Sequence, residues 1–127
     1  MSNYTKANIK ELDNSAAQFG IEGFEARFAR KPMGLEQFGF SYQKFEPNWR
    51  QPFGHMHSGQ EEVYLVLSGG GRIKVDDEVV DLAEWDAIRI PSGVTRQLES
   101  GPDGLEILAV GGHPSGDAEI IQGWWGD

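Results

Sequence analysis

The segment that decides the fold is Phe53-Gly-His-Met-His-Ser-Gly-Gln-Glu-Glu-Val-Tyr-Leu-Val-Leu-Ser-Gly69. It holds two of the three histidines of the chain, His55 and His57, separated by one residue. Because alternate side chains of an extended strand share a face, the two imidazoles are predicted to lie side by side, with Cα atoms about 6.6 Å apart. A carboxylate that returns after a turn at Ser58-Gly59 would complete a set of two histidines and one carboxylate, which suits divalent metals. Standing alone, a His-x-His pair would instead favour the simpler interpretation of a polar turn.

The segment resembles the first conserved motif of the cupins, Gly-x5-His-x-His-x(3,4)-Glu-x6-Gly. Four residues separate His57 from Glu62, and six more separate Glu62 from Gly69. The spacing to Gly69 selects Glu62 rather than Glu61 as the ligand-type carboxylate. Trp49 stands where the motif has its opening glycine.

A later segment, Trp85-Asp-Ala-Ile-Arg-Ile-Pro-Ser-Gly-Val-Thr-Arg96, resembles the second cupin motif, Gly-x5-Pro-x-Gly-x2-His-x3-Asn. Pro91 and Gly93 match that motif, whereas Arg96 occupies the position of its histidine and Ser100 that of its asparagine. A guanidinium is permanently charged and has no lone pair for a metal, so Arg96 is excluded as a ligand.

The resemblance implies that His55, His57, Glu62 and Arg96 lie together inside a barrel. The predicted function is binding of a divalent transition metal (Fe, Mn, Ni, Zn or Cu) by His55, His57 and Glu62, with oxygenase- or isomerase-type chemistry on a small, anionic molecule. Arg96 would orient that ligand, and Tyr64 could present its hydroxyl to the cavity. No catalytic residue is assigned.

Two alternatives remain open. In one, no metal binds, Arg96 pairs with Glu62, and the protein is a small-molecule sensor or carrier in which Arg96 anchors an anion. In the other, the histidines and Arg96 form a satisfied polar network inside a structural protein.

The composition excludes several classes of protein. A length of 127 residues suits one domain. The net charge of −9, with no basic cluster, would repel the phosphate backbone of a nucleic acid. The absence of cysteine excludes disulfides and thiolate metal sites. The sequence contains neither the apolar run of a signal peptide nor the roughly 18 consecutive apolar residues of a membrane span. We therefore expect a cytoplasmic protein without a membrane partner.

Short strands at intervals of about ten residues predict the fold class. Strands are expected at 24–28, 38–45, 63–67, 72–75, 78–82, 85–90 and 105–110, with turns at 69–71 and 101–104 and one helical turn within 13–20. This pattern is typical of an all-β, antiparallel jelly roll. Together with the resemblance, it predicts a cupin barrel, also called a double-stranded β-helix.

The chain is predicted to consist of a lead-in (residues 1–23), a barrel (24–113) and a tail (114–127). The tail ends with Trp124-Trp125, whose apolar area is expected to dock on the barrel or on a second subunit. The resemblance implies a homodimer. His113, between glycines and a proline, is interpreted as a loop residue rather than a ligand.

Overall fold

A computed structural model describes residues 3–112 and 116–126, and most of these residues lie in β-strands. In that part of the chain, eight strands are accompanied by a 3-10 helix (Ile9–Glu11) and two short α-helices, α1 (Ser15–Gln18) and α2 (Arg30–Met33). The strands are β1 (Phe24–Phe28), β2 (Gly39–Phe45), β3 (Phe53–His57), β4 (Glu62–Val75), β5 (Glu78–Leu82), β6 (Ala87–Ile90), β7 (Arg96–Gly111) and β8 (Ala118–Gln122). None of these helices has the length and apolar character needed to cross a membrane.

The strands form one curled antiparallel sheet in the order β1-β2-β7-β3-β8. Strand β4 pairs along most of its length with β7 and also pairs with β5 and β6. β4 and β7 are the two longest strands. Their pairing joins the two sides of the sheet around a common interior. The predicted all-β, antiparallel fold class is confirmed.

The core lies on the inner face of this sheet. Tyr64 and Val66 of β4 stand directly opposite Ala109 and Ile107 of β7, and all four side chains are buried. The buried cluster comprises Phe45, Tyr64, Val66, Ile73, Leu82, Ile90, Leu98, Leu105, Ile107 and Ala109. Burial of this much apolar surface supplies the main driving force for closing the sheet.

The glycines predicted to form turns at 69–71 and 101–104 lie inside the long strands β4 and β7 instead. Gly69 adopts a φ of 74°, and a Cβ atom there would lie 2.1 Å from the carbonyl oxygen of Gly104. The pairing register shifts on both sides of Gly69, which marks β-bulges. The turn prediction was wrong because these glycines allow two strands to approach closely and bend, rather than to end.

The tail supplies the edge strand β8, which the sequence did not predict. Its five residues pair with all five residues of β3, whereas β7 on the other side of β3 contributes one pair, His55 with Arg96. Beyond β8, Trp125 is buried, and the Arg50 guanidinium lies 4.2 Å from the centroid of its ring. The tail therefore packs on its own barrel and holds the strand that carries both histidines.

We predict that Gly54→Ala destabilises the fold by about 1–3 kcal/mol, because a Cβ atom at Gly54 would lie 2.9 Å from Trp124 Cε3. Urea denaturation would measure the cost of Gly54→Ala in the unaltered protein and in a protein that also carries Trp124→Ala. The cost should be much smaller in the second protein. Gly112→Ala is the control, since a Cβ atom there would meet no heavy atom within 4 Å. Equal costs in both backgrounds would contradict the packing of Trp124 on β3.

Candidate metal-binding site

His55 and His57 project from β3 towards Glu62, the first residue of β4. The Nε2 atoms of His55 and His57 lie 4.0 Å and 3.6 Å, respectively, from Glu62 Oε1. The two imidazole centroids are 5.3 Å apart, and one potential ligand atom from each of the three residues lies within 4.8 Å of the other two. The three residues that the sequence singled out as a metal set therefore come together in space.

His55 is a neutral imidazole near pH 7. Burial, and secondarily the positive charge of Arg96, lower the pKa of His55 to about 4, although Glu62 opposes this shift. A neutral imidazole keeps a lone pair on one ring nitrogen. His55 thus meets the first requirement of a metal ligand without having to lose a proton.

Asp117, just before β8, orients His57 and the turn between β3 and β4. Its Oδ1 atom lies 2.8 Å from His57 Nδ1, and its Oδ2 atom accepts hydrogen bonds from the backbone N–H groups of Gly59 and Gln60 at 2.9 Å and 2.8 Å. Burial alone would raise the pKa of Asp117, but these donors outweigh burial and lower it to about 2. Since Asp117 is ionised, it accepts a hydrogen bond from the Nδ1–H group of His57, and the Nε2 atom of His57 faces Glu62.

Arg96 is fully buried, and each of its three nitrogens donates a hydrogen bond. Its Nε donates to the Tyr64 hydroxyl at 3.1 Å, its Nη1 donates to the carbonyl of Val94 at 3.0 Å, and its Nη2 donates to Glu62 Oε1. The Tyr64 hydroxyl in turn donates to Glu62 Oε1 at 2.8 Å. Burial alone would lower the pKa of Arg96, but Tyr64 and Glu62 raise it above its usual value. Burial and the Glu62 charge raise the pKa of Tyr64, so its hydroxyl stays protonated.

A cavity of about 640 Å³ opens beside these residues. Its lining includes His57 and Glu62 at one end and the apolar side chains of Phe28, Phe40 and Ala109. This volume falls within the range of small-molecule sites. Arg96 and Tyr64, predicted from the sequence to contact a ligand, are buried and are not among the lining residues.

The family is decided by residues 41–111, which match the family model of the cupin domain. The chain belongs to the cupin family. The matched region contains both histidines of the site, Glu62 and Arg96.

The chain also matches part of one curated protein. An uncharacterised protein of Methanocaldococcus jannaschii is 32% identical over 71 residues, which cover 54% of this chain and 57% of the relative. The match thus spans little more than half of that protein.

Among solved structures, the chain resembles a cupin protein from Bacteroides fragilis with a TM-score of 0.74 and 24% identity, covering 91% of this chain and 89% of the other. A sugar phosphate isomerase of the cupin superfamily from Silicibacter pomeroyi gives a TM-score of 0.73 at 17% identity, covering 93% and 92%. At these identities, the likeness establishes the cupin fold.

The altered second motif of this cupin faces the site. Arg96 is paired with His55 across β7 and β3, so the arginine that replaces the motif histidine lies beside the two remaining histidines. His113, interpreted from the sequence as a loop residue, lies outside the described residues.

Asp117 was missed by sequence reasoning. It lies 60 residues from its partner His57 along the chain, and no motif spacing connects the two. The only local signal is an acidic residue between a glycine and a short apolar run, which is common on protein surfaces. Its role depends on the pairing of β8 with β3, which the sequence pattern did not predict.

We predict that Asp117→Asn lowers the free energy of unfolding near neutral pH and that this loss shrinks as the pH falls towards 2. The pKa of Asp117 is depressed below its ordinary value of 3.8, so the stabilisation is present above pH 3.8 and is lost as the pH falls through about 2. Urea denaturation of the unaltered protein and of Asp117→Asn between pH 2 and pH 7 would measure the difference in their free energies of unfolding. Asp77→Asn, at an exposed turn residue, is the control for removing one carboxylate. A pH-independent difference for Asp117→Asn would contradict the hydrogen-bond network.

Proposed function

We propose that this cupin binds a divalent transition metal through His55, His57 and Glu62 and acts on a small molecule held in the adjoining cavity. The observation that carries the proposal is the convergence of three potential ligand atoms within 4.8 Å of one another. Two imidazoles and one carboxylate suit Fe, Mn, Ni, Zn or Cu. The cavity reaches His57 and Glu62, so a molecule inside it would meet the metal-binding side chains.

The charges around the site fit a divalent cation despite the nearby arginine. Arg96 contributes one positive charge, which Glu62 offsets through their direct contact. Asp117 adds a second carboxylate through His57, and its low pKa keeps it ionised. The Oε1 atom of Glu62 faces both histidines and also accepts from Arg96 and Tyr64, so metal binding would require Glu62 to share this oxygen or to turn its second oxygen towards the metal.

The metal ion and the surrounding residues would have different roles in the reaction. When bound, the metal ion supplies Lewis acidity and open coordination positions, which suit oxygenase- or isomerase-type chemistry on an oxygen-bearing molecule. Asp117 keeps the His57 ring oriented, and the Tyr64 hydroxyl holds the Glu62 carboxylate in place. Phe28 and Phe40 provide part of the apolar wall of the cavity, against which an apolar part of the molecule could pack.

The second candidate function is metal-free binding of a small molecule. The direct contact between Arg96 and Glu62 favours it, because a carboxylate engaged by a guanidinium has less charge left for a metal. Under this alternative, the protein would bind a ligand in the same cavity without turnover.

Metal titration of protein purified without an affinity tag tests the proposal. We expect about one divalent ion per chain, and we expect His55→Ala and His57→Ala each to weaken its binding at least tenfold, or about 1.4 kcal/mol. His113→Ala is the matched control and should leave the affinity unchanged. Failure of the unaltered protein to bind Fe, Mn, Ni, Zn or Cu would contradict the metal site, and small-molecule binding by that same metal-free protein would support the alternative.

We predict that Arg96→His raises the affinity for a divalent metal by about tenfold or more. The substitution removes a buried positive charge, releases Glu62 and places an imidazole opposite His55 on the neighbouring strand. Isothermal titration calorimetry with Zn²⁺ and Mn²⁺ would measure the change. Arg89→His, at an exposed arginine that pairs with Glu61, is the control. An unchanged or lower affinity in Arg96→His would contradict the view that Arg96 limits metal binding.

A further inference from the structure

Two glycines and Glu62 form a row across the inner face of the sheet. Gly39 of β2 pairs with Gly111 of β7, and Gly111 pairs in turn with Glu62 of β4. Residues that stand directly opposite one another on neighbouring strands point to the same face. The two glycines therefore lie beside Glu62 on the face that lines the cavity, and all three residues are part of its lining.

The missing side chains of these glycines make room for two polar groups. A Cβ atom at Gly39 would lie 2.8 Å from Arg30 Nε and 3.0 Å from Arg30 Nη2, so the guanidinium lies directly against the backbone of β2. A Cβ atom at Gly111 would lie 1.7 Å from Gln60 Oε1. Gly39 and Gly111 thus allow Arg30 and Gln60 to lie over the sheet, in line with Glu62.

Arg30 is held in place and keeps donors available. Its Nη2 donates to the carbonyl of Gly112 at 3.0 Å, and among the described residues Arg30 makes no ion pair. A guanidinium has five N–H donors, so this hydrogen bond uses only part of its capacity. Lys31, the next residue of α2, also lines the cavity.

We propose that Arg30, assisted by Lys31, is the anchor for the anionic group of a small carboxylate or phosphate ligand in this cavity. Arg96, to which the sequence assigned that role, is fully buried and already donates to Glu62, Tyr64 and Val94. Arg30, in contrast, is half-buried and lines the cavity. A planar guanidinium suits forked contact with a carboxylate or phosphate.

The charges of the cavity favour an anion at this end. Among the described residues that line the cavity, Arg30 and Lys31 are opposed by one carboxylate, that of the exposed Asp13, while Glu62 is paired with Arg96. The cavity thus retains a net positive charge next to α2, although the whole chain carries a charge of −9. An anionic ligand would be attracted to this end in particular.

The spacing of the row indicates the shape of the ligand, and this step rests on the proposed function. Gly39 and Glu62 are two strand spacings apart, which is roughly 10 Å. Phe28, Phe40 and Ala109 supply apolar walls of the same cavity. The ligand class is therefore an elongated anion whose middle passes the Gln60 side chain and the apolar walls, with an oxygen-bearing far end that reaches Glu62 and His57.

The test compares benzoate, 4-hydroxybenzoate and adipate with their uncharged amides by calorimetry, using protein freed of metal with a chelator. The unaltered protein should bind the carboxylates at least tenfold more tightly than the amides, or about 1.4 kcal/mol. Arg30→Gln should abolish this preference, and Arg30→Lys, which keeps the charge, should retain part of it. Arg89→Gln, which removes an exposed arginine that does not line the cavity, should retain all of it.

A preference that survives in Arg30→Gln, or the absence of carboxylate binding at millimolar concentration, would overturn the anchor. Because this arm uses metal-free protein, its result does not depend on whether His55, His57 and Glu62 bind a metal. In protein loaded with Zn²⁺, 4-hydroxybenzoate should bind more tightly than benzoate. Equal affinities of the loaded protein for the two would overturn the placement of the far end of the ligand at Glu62 and His57.

Discussion

The buried positive charge of Arg96 constrains the interior of this barrel more than any other group in the described chain. Removing the partner of a buried ion pair costs several kcal/mol, so the fold must supply Arg96 with acceptors. It does so with Glu62, the Tyr64 hydroxyl and the carbonyl of Val94. Since Glu62 also faces both histidines, the same carboxylate links the stability of the core to the chemistry of the site.

A second constraint acts on the strand that carries the histidines. Strand β3 pairs with β8 along its whole length but with β7 at one residue, so its position depends mainly on the tail. Asp117 reinforces this dependence, because it joins His57 to the first residues after β3. Trp124 packs against Gly54 on the same strand. The geometry of His55 and His57 is therefore set by residues more than fifty positions further along the chain.

The sequence predicted the parts of this structure that depend on local pattern. The spacing of His55, His57 and Glu62 located the candidate site, and the short alternating strands gave the all-β fold class. The glycines at 69–71 were misinterpreted, because a bulge and a turn demand the same backbone freedom and differ only in what lies opposite. Asp117 could not be found, and Arg30 could not be distinguished from other arginines as a cavity residue, because the contacts that place them join distant parts of the chain. The predicted homodimer and the division into lead-in, barrel and tail remain predictions.

The chemistry of the site depends on whether Glu62 binds a metal while it contacts Arg96. A crystal structure of protein grown with Mn²⁺ or Zn²⁺, with anomalous diffraction data, tests this most directly. We predict one anomalous peak within bonding distance of His55 Nε2, His57 Nε2 and a Glu62 carboxylate oxygen, about 2.0–2.2 Å for zinc. A map without a peak between these residues, with Glu62 bound only by Arg96 and Tyr64, would contradict it.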